Sequence, residues 1–174
     1  MWLVSRSKTW IWLYLLMTGM LIYRFRNWKT VLLILLAFGV AIGLSDYTTS
    51  GILKPLVARL RPTHEPSIDP IHLVRNYMGG LYGFCSSHAA NTVCCALLFS
   101  LIWRNKYATT ALMIWVALNC YSRMYLGVHY PTDILAGLLI GASWALVVYC
   151  VLNRWVLSSQ ASYGSHREDD GVSQ

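Results

Sequence analysis

Five apolar runs divide this chain, and their lengths limit what it can fold into: Thr9–Tyr23, Thr30–Leu53, Ala89–Trp103, Tyr107–Tyr121 and Ile134–Asn153. A helix needs about 20 mostly apolar residues to cross a bilayer. The second and fifth runs meet that alone, and Asp46 is the one charged residue inside the second. The other three reach it when polar flanks such as Ser5–Lys8 and Ser86–His88 extend their helices. Only 12% of residues are charged and 56% are hydrophobic, against about 25% charged in a soluble domain. The sequence therefore predicts an all-α, polytopic transmembrane bundle of five spanning helices over residues 1–157. Residues 158–174 are polar and carry Glu168-Asp169-Asp170, so a disordered tail is expected there. The first run ends in Tyr23-Arg24-Phe25-Arg26 with no small-residue cleavage site. It reads as a spanning helix rather than a cleaved signal.

The net charge of +7 is spread along an apolar chain. That favours a membrane and an anionic lipid or phosphate as partners, and argues against nucleic acid. The five cysteines have no metal-binding spacing. Cys94, Cys95, Cys120 and Cys150 lie in apolar runs and read as small buried hydrophobes. Arg24, Arg26 and Lys29, then Arg104 and Lys106, then Arg154 mark the cytoplasmic ends by the positive-inside rule. The opposite face receives the Lys54–Ser87 loop and the Ser122–Asp133 link. It also carries Lys54, Arg59, Arg61, Arg75 and Arg123, and a phosphate ligand would account for cations on that side. Four prolines and three glycines make the long loop irregular, with a short helix expected near Ile71–Tyr77.

Three patches carry chemistry. Lys54 and Arg61 stand seven apart, about two helical turns, which would place both on one helix face as a point charge and a bidentate fork. Ser86 or Ser87 would cap the helix that follows, leaving free N–H groups for an anion, with His88 in its first turn. In the third patch Pro131 suits a helix start near Thr132, and Asp133 lies four residues after His129. There Asp133 can accept from one ring nitrogen and leave the other free to attack, while Arg123 adds a third cation. A snorkelling helix end, an ordinary N-cap and a capped turn with a buried histidine would explain each patch singly. Such features have no reason to converge on one membrane face, yet all three patches do.

The patches together resemble the type-2 phosphatidic acid phosphatase family, the membrane branch related to vanadium haloperoxidases. Its first motif, Lys, six residues, Arg-Pro, matches Lys54 through Arg61-Pro62. Its third, Ser-Arg, five residues, His, three residues, Asp, matches Ser122-Arg123, His129 and Asp133. Its second, Pro-Ser-Gly-His, matches at Ser86 and His88, with Cys85 and Ser87 in the proline and glycine places. The Ser87 amide can still serve a phosphate. Relatives often have six spanning helices, so the first would lie upstream of this sequence or be dispensable.

The resemblance implies a lipid phosphatase that needs no metal or cofactor. Lys54, Arg61, Arg123, Ser86 and Ser87 would bind the phosphate. His129 would be the nucleophile, Asp133 its orienting partner, and His88 the acid and base. The substrate would be a polyprenyl pyrophosphate, phosphatidate, phosphatidylglycerol phosphate or lipid A phosphate, the first preferred in a bacterium. The site would lie on the periplasmic face of the inner membrane. Rival readings are a vanadate-dependent haloperoxidase, a non-catalytic lipid-binding scaffold on the same fold, and a channel or transporter. Glu65 and Asp69 are expected to be solvated or to select a head group. Asp46 is expected either to pair with a basic residue behind the site or to be hydrated at the interface.

Overall fold

The computed structural model describes residues 1–68 and 77–157. All regular elements among them are helical. A 3-10 turn at Ser7–Trp10 leads into α1 (Ile11–Phe25), and α2 follows at Trp28–Asp46. A π-helical turn, Tyr47–Leu53, joins α2 to the short α3 (Lys54–Val57). After the long loop come α4 (Ser87–Trp103), α5 (Lys106–Tyr125) and α6 (Pro131–Leu152).

Two tight turns reverse the chain in the same way. Arg26 and Arg104 adopt the left-handed conformation, with φ of 49° and 54°, and end α1 and α4. Asn27 and Asn105 then cap the next helix, each side-chain oxygen accepting a backbone N–H at 3.0 Å. Such caps satisfy donors that a helix start leaves free. Both turns carry the basic residues that the charge pattern placed at one end of the bundle. Arg104 also donates to the Tyr149 hydroxyl near the end of α6.

Trp28–Val57 and Pro131–Trp155 are long and apolar enough to cross a membrane, and Ser87–Trp103 is apolar but shorter. α1 and α5 stay below that threshold on length or hydropathy, because α5 carries Lys106, Asn119 and Arg123. The outer faces of the bundle are apolar: Trp12 is 80% exposed and Leu139 71%. Large exposed apolar faces of this kind call for lipid or protein against them.

α4 runs through the middle, packed by α2, α5 and α6. It is therefore apolar around most of its circumference, with Ala90, Cys94, Ala96, Leu98 and Phe99 all buried. Its tightest neighbour is α6. A methyl group at Gly137 would collide with the Ser86 carbonyl, and one at Gly141 with the Ala90 carbonyl. Small residues one turn apart let two helix backbones touch, which in a bilayer supplies packing that water would otherwise drive.

Four expectations from the sequence need correction or fall elsewhere. Lys54 and Arg61 do not share a helix face: the helix stops at Val57, and Ala58 turns left-handed at φ 48°. Pro62 disfavours helix at the residue before it, and Arg61 is extended, with ψ of 155°. Cys150 is exposed on α6 rather than buried, whereas Cys94, Cys95 and Cys120 are buried as expected. The expected short helix at Ile71–Tyr77 and the tail from Ser158 lie outside the described residues, apart from Tyr77, which is irregular.

Gly141→Val is expected to overpack the α4–α6 contact and cost about 1–3 kcal/mol. Thermal unfolding in detergent checks this against Gly39→Val, where open space surrounds the added side chain and the midpoint stays put.

Candidate active site

The three sequence patches meet at one end of the bundle. α4 begins there with Ser86 as N-cap, its hydroxyl accepting from the Ala89 N–H at 3.4 Å. The Ser86 N–H donates to the Asp133 carbonyl at 3.0 Å, tying the start of α4 to the first turn of α6. His88 is the second residue of α4, in its first turn, and lines a cavity shared with Ser5.

Asp133 is fully buried at the third position of α6. Its Oδ2 accepts the Tyr130 N–H at 2.9 Å and faces His129 Nδ1 at 3.5 Å. A helix N-terminus favours that negative charge. Its Oδ1 forms an ion pair with Arg59 Nη2. The His129 ring is 2% exposed. Burial lowers its pKa to about 2, followed by the charges of Arg61, Arg123 and Lys54, with the Gly83 backbone opposing weakly. His129 is thus a neutral imidazole at physiological pH, with Asp133 beside one nitrogen.

The cations approach from three elements. Lys54 Nζ donates to Ser50 Oγ at 3.2 Å and to Ser87 Oγ at 3.0 Å. The π-turn before it adds a residue per turn and so re-aims the end of the helix. Arg61 is buried, its Nε donating to the Tyr82 carbonyl at 3.1 Å and its Nη1 to the Val128 carbonyl at 3.4 Å. A short antiparallel pairing of Leu60 with Tyr82 sets that geometry. Gly79, with φ of 71°, passes so close to Arg61 that an added Cβ would stand 2.6 Å from Nη1. Burial and then the neighbouring Arg123 push the Arg61 pKa below its usual value. Arg123, at the end of α5, is buried; its Nη1 donates to the Ser5 hydroxyl and its Nη2 to the Tyr77 hydroxyl at 3.5 Å.

All eight residues singled out in the sequence therefore lie around this end of the bundle. Ser87 contributes its hydroxyl to Lys54, a contact glycine could not make. Glu65 stands apart, accepting from Ser67 at 3.0 Å, and Asp69 lies outside the described residues. Asp46 accepts a hydrogen bond from Asn91 Nδ2 at its Oδ1, at 3.0 Å, and its charge acts on Lys54. Among the described residues no group of three or more His, Cys, Asp and Glu is placed to hold a metal.

Two contributors have no specific role in the sequence reading, although Arg59 counts there among the cations of this face. Arg59 lies two residues before Arg61, and in an extended segment that spacing puts both on one side. Its guanidinium bonds Thr132 Oγ1 at 3.1 Å and rests against the rings of Tyr130 and Phe84, at 4.8 and 5.2 Å. The Arg-Leu-Arg-Pro pattern carried that signal, but a helical reading hid it. Ser5 left no signal, because its role depends on how the N-terminal segment folds back.

The sequence profile of the PAP2 superfamily matches residues 30–157. The chain belongs to that superfamily. It is similar to a lipid A 4'-phosphatase of Porphyromonas gingivalis, 37% identical over 169 residues, covering 94% of this chain and 71% of the relative. A lipid A 4'-phosphatase of Bacteroides thetaiotaomicron is 34% identical over 130 residues, covering 74% of this chain but 58% of the relative. The fold resembles the crystal structure of a transmembrane PAP2-type phosphatidylglycerolphosphate phosphatase from Bacillus subtilis, with a TM-score of 0.60 and 23% identity, covering 87% of this chain and 72% of that one. The residues matching PAP2 motifs are those that converge in space.

The His129 shift gives a pH prediction with a definite sign. Its folded pKa is lowered from 6.5 to about 2, so between those values the unfolded chain holds the extra proton. Stability then falls as pH drops below 6.5, by roughly 1.4 kcal/mol per unit for one proton. Thermal midpoints across that range should show the loss. Inorganic phosphate should lessen it by neutralising the cations, and His129→Gln should remove the part of the slope that belongs to this one proton; an unchanged slope in that variant would contradict the assignment.

Proposed function

We propose that this protein is a membrane lipid phosphatase that transfers the phosphoryl group of a lipid phosphate to His129 and then to water. The observation that carries the reading is a neutral, buried imidazole held beside Asp133 and faced by Lys54, Arg61 and Arg123. A phosphate dianion would neutralise those cations and place phosphorus against the free ring nitrogen. Phosphoryl transfer asks mainly for positioning and charge neutralisation, and this arrangement offers both.

In the first half, His129 Nε2 attacks phosphorus and the bond to the leaving oxygen breaks. His88, charged in the complex once the bound phosphate dianion offsets the cations around it, gives that oxygen its proton and becomes neutral. Asp133 stabilises the cationic phosphoimidazole, and Arg59 holds Asp133. In the second half, His88 takes a proton from water as the water oxygen attacks phosphorus. The P–N bond breaks, returning neutral His129 and releasing phosphate. Ser86, the Ser87 amide and the start of α4 would bind the equatorial oxygens.

A cavity of about 410 Å³ supports an amphiphilic substrate. It lies between α1, α2 and α4, is walled by Met17, Leu21, Leu35 and Phe38, and reaches His88 and Asn91. An alkyl or prenyl chain would fill it while the phosphate meets the cations. Among lipid phosphates, a lipid A-type phosphate monoester is the leading substrate, since the two relatives above carry that activity. α1, α2 with α3, α4, α5 and α6 would all span the bilayer, with the Arg26 and Arg104 turns cytoplasmic and the site on the periplasmic side of a bacterial inner membrane.

Phosphate release from a lipid phosphate panel in detergent tests the reading. Wild type should turn over with EDTA present. His129→Ala should lose activity by a factor on the order of 10³ or more, and Arg59→Gln by up to about a hundredfold through misplacement of the nucleophile. Full activity in His129→Ala, or abolition by EDTA, would overturn it.

A further inference from the structure

The segment ahead of α1 is pinned over the site. Thr9 Oγ1 donates to the Leu3 carbonyl at 2.6 Å, and Trp10 Nε1 to the Val4 carbonyl at 2.8 Å. The Trp10 ring meets Trp115 edge-on at 5.7 Å, and buried Ser5 receives Arg123. Between this segment, the start of α4 and the end of α5 lies a second cavity of about 450 Å³. Arg6, Lys8, Arg123, His88, Tyr77 and Trp2 line it, and among the described residues no carboxylate does.

That lining is cationic without compensation. Arg6 stacks on the Trp2 ring at 4.5 Å, which holds its guanidinium in place. Neither Arg6 nor Lys8 forms an ion pair with a described carboxylate. Arg123 forms the boundary with the phosphate site. His88 lines both this cavity and the apolar one, so the two chambers meet where the leaving oxygen would be protonated. A group in the basic chamber therefore belongs to the leaving part of the substrate, not to the phosphoryl group being transferred.

We propose that Arg6 and Lys8 form a second anion subsite that takes an additional phosphate carried by the substrate's leaving group. The inference rests on the phosphatase reading for the placement of the leaving group. The ligand chemistry is a bis-anion: a diphosphate, or a lipid with two separate phosphates. Arg6 and Lys8 are solvent-exposed, so salt should screen their contribution, whereas the buried cations of the first site should be screened less.

Isothermal titration of the full chain in detergent separates these terms without requiring turnover. The probes are inorganic phosphate, methylene diphosphonate as a pyrophosphate isostere, and an α,ω-alkanediol bisphosphate for separated phosphates. Arg6→Gln/Lys8→Gln should weaken at least one bis-anion by about tenfold while phosphate changes by less than about twofold. The probe that loses more tells whether the second phosphate is adjacent or remote. Raising ionic strength should erode the wild-type preference for that probe and leave the variant unmoved. Equal losses for all three probes, or none, would overturn the subsite. Lipid phosphate turnover by the same wild-type preparation reports separately on the phosphatase reading.

Discussion

Backbone-to-backbone contact between α4 and α6 is the constraint on which the site depends. Gly137 and Gly141 leave no side chain between the helices, so the Ser86 and Ala90 carbonyls lie directly against α6. The same approach lets the Ser86 N–H reach the Asp133 carbonyl. Ser86 and His88 are thereby fixed against His129 and Asp133, although more than forty positions separate them in the chain. A bilayer does not drive helices together as water does, so close packing has to supply the attraction. The position of the chemistry follows from where two helices can touch.

Electrostatics sets the second requirement. Three cations surround an imidazole that burial keeps neutral, and no described carboxylate pairs with Lys54, Arg61 or Arg123. Their directions are fixed by neutral partners: Ser50 and Ser87 for Lys54, carbonyls for Arg61, hydroxyls for Arg123. Neutral partners orient a cation without cancelling it. The one carboxylate in the centre, Asp133, is taken up by Arg59, the Tyr130 amide and His129. The site is therefore preorganised and left positive for an incoming anion.

Much of this was legible in the sequence because it was local. Helix positions followed from apolar runs, and α4 and α6 started where Ser86 and Pro131 said they should. His129 and Asp133 were readable because an i, i+4 spacing beside a proline confines them to one turn. The failures were tertiary. Lys54 and Arg61 were read on one helical face, but Ala58 reverses the backbone and Arg61 arrives from an extended strand-like segment paired to Tyr82. That same error hid the pairing of Arg59 with Asp133. Ser5 and Asn91 act only through partners distant in sequence, and no spacing announces them. Cys150 was read as buried because an apolar run does not say which of its faces meets lipid.

The central claim is that His129 carries the phosphoryl group between the two half-reactions. A His88→Asn variant keeps the nucleophile and loses the acid and base, so it should slow dephosphorylation of the intermediate. Alkaline quenching after incubation with a reactive phosphate ester that needs no protonation, followed by peptide mass spectrometry, locates any bound phosphate. The account predicts phosphate on the peptide containing His129, absent when His129→Ala is combined with His88→Asn. An unmodified His129 peptide during turnover, or phosphate on another residue, would contradict it.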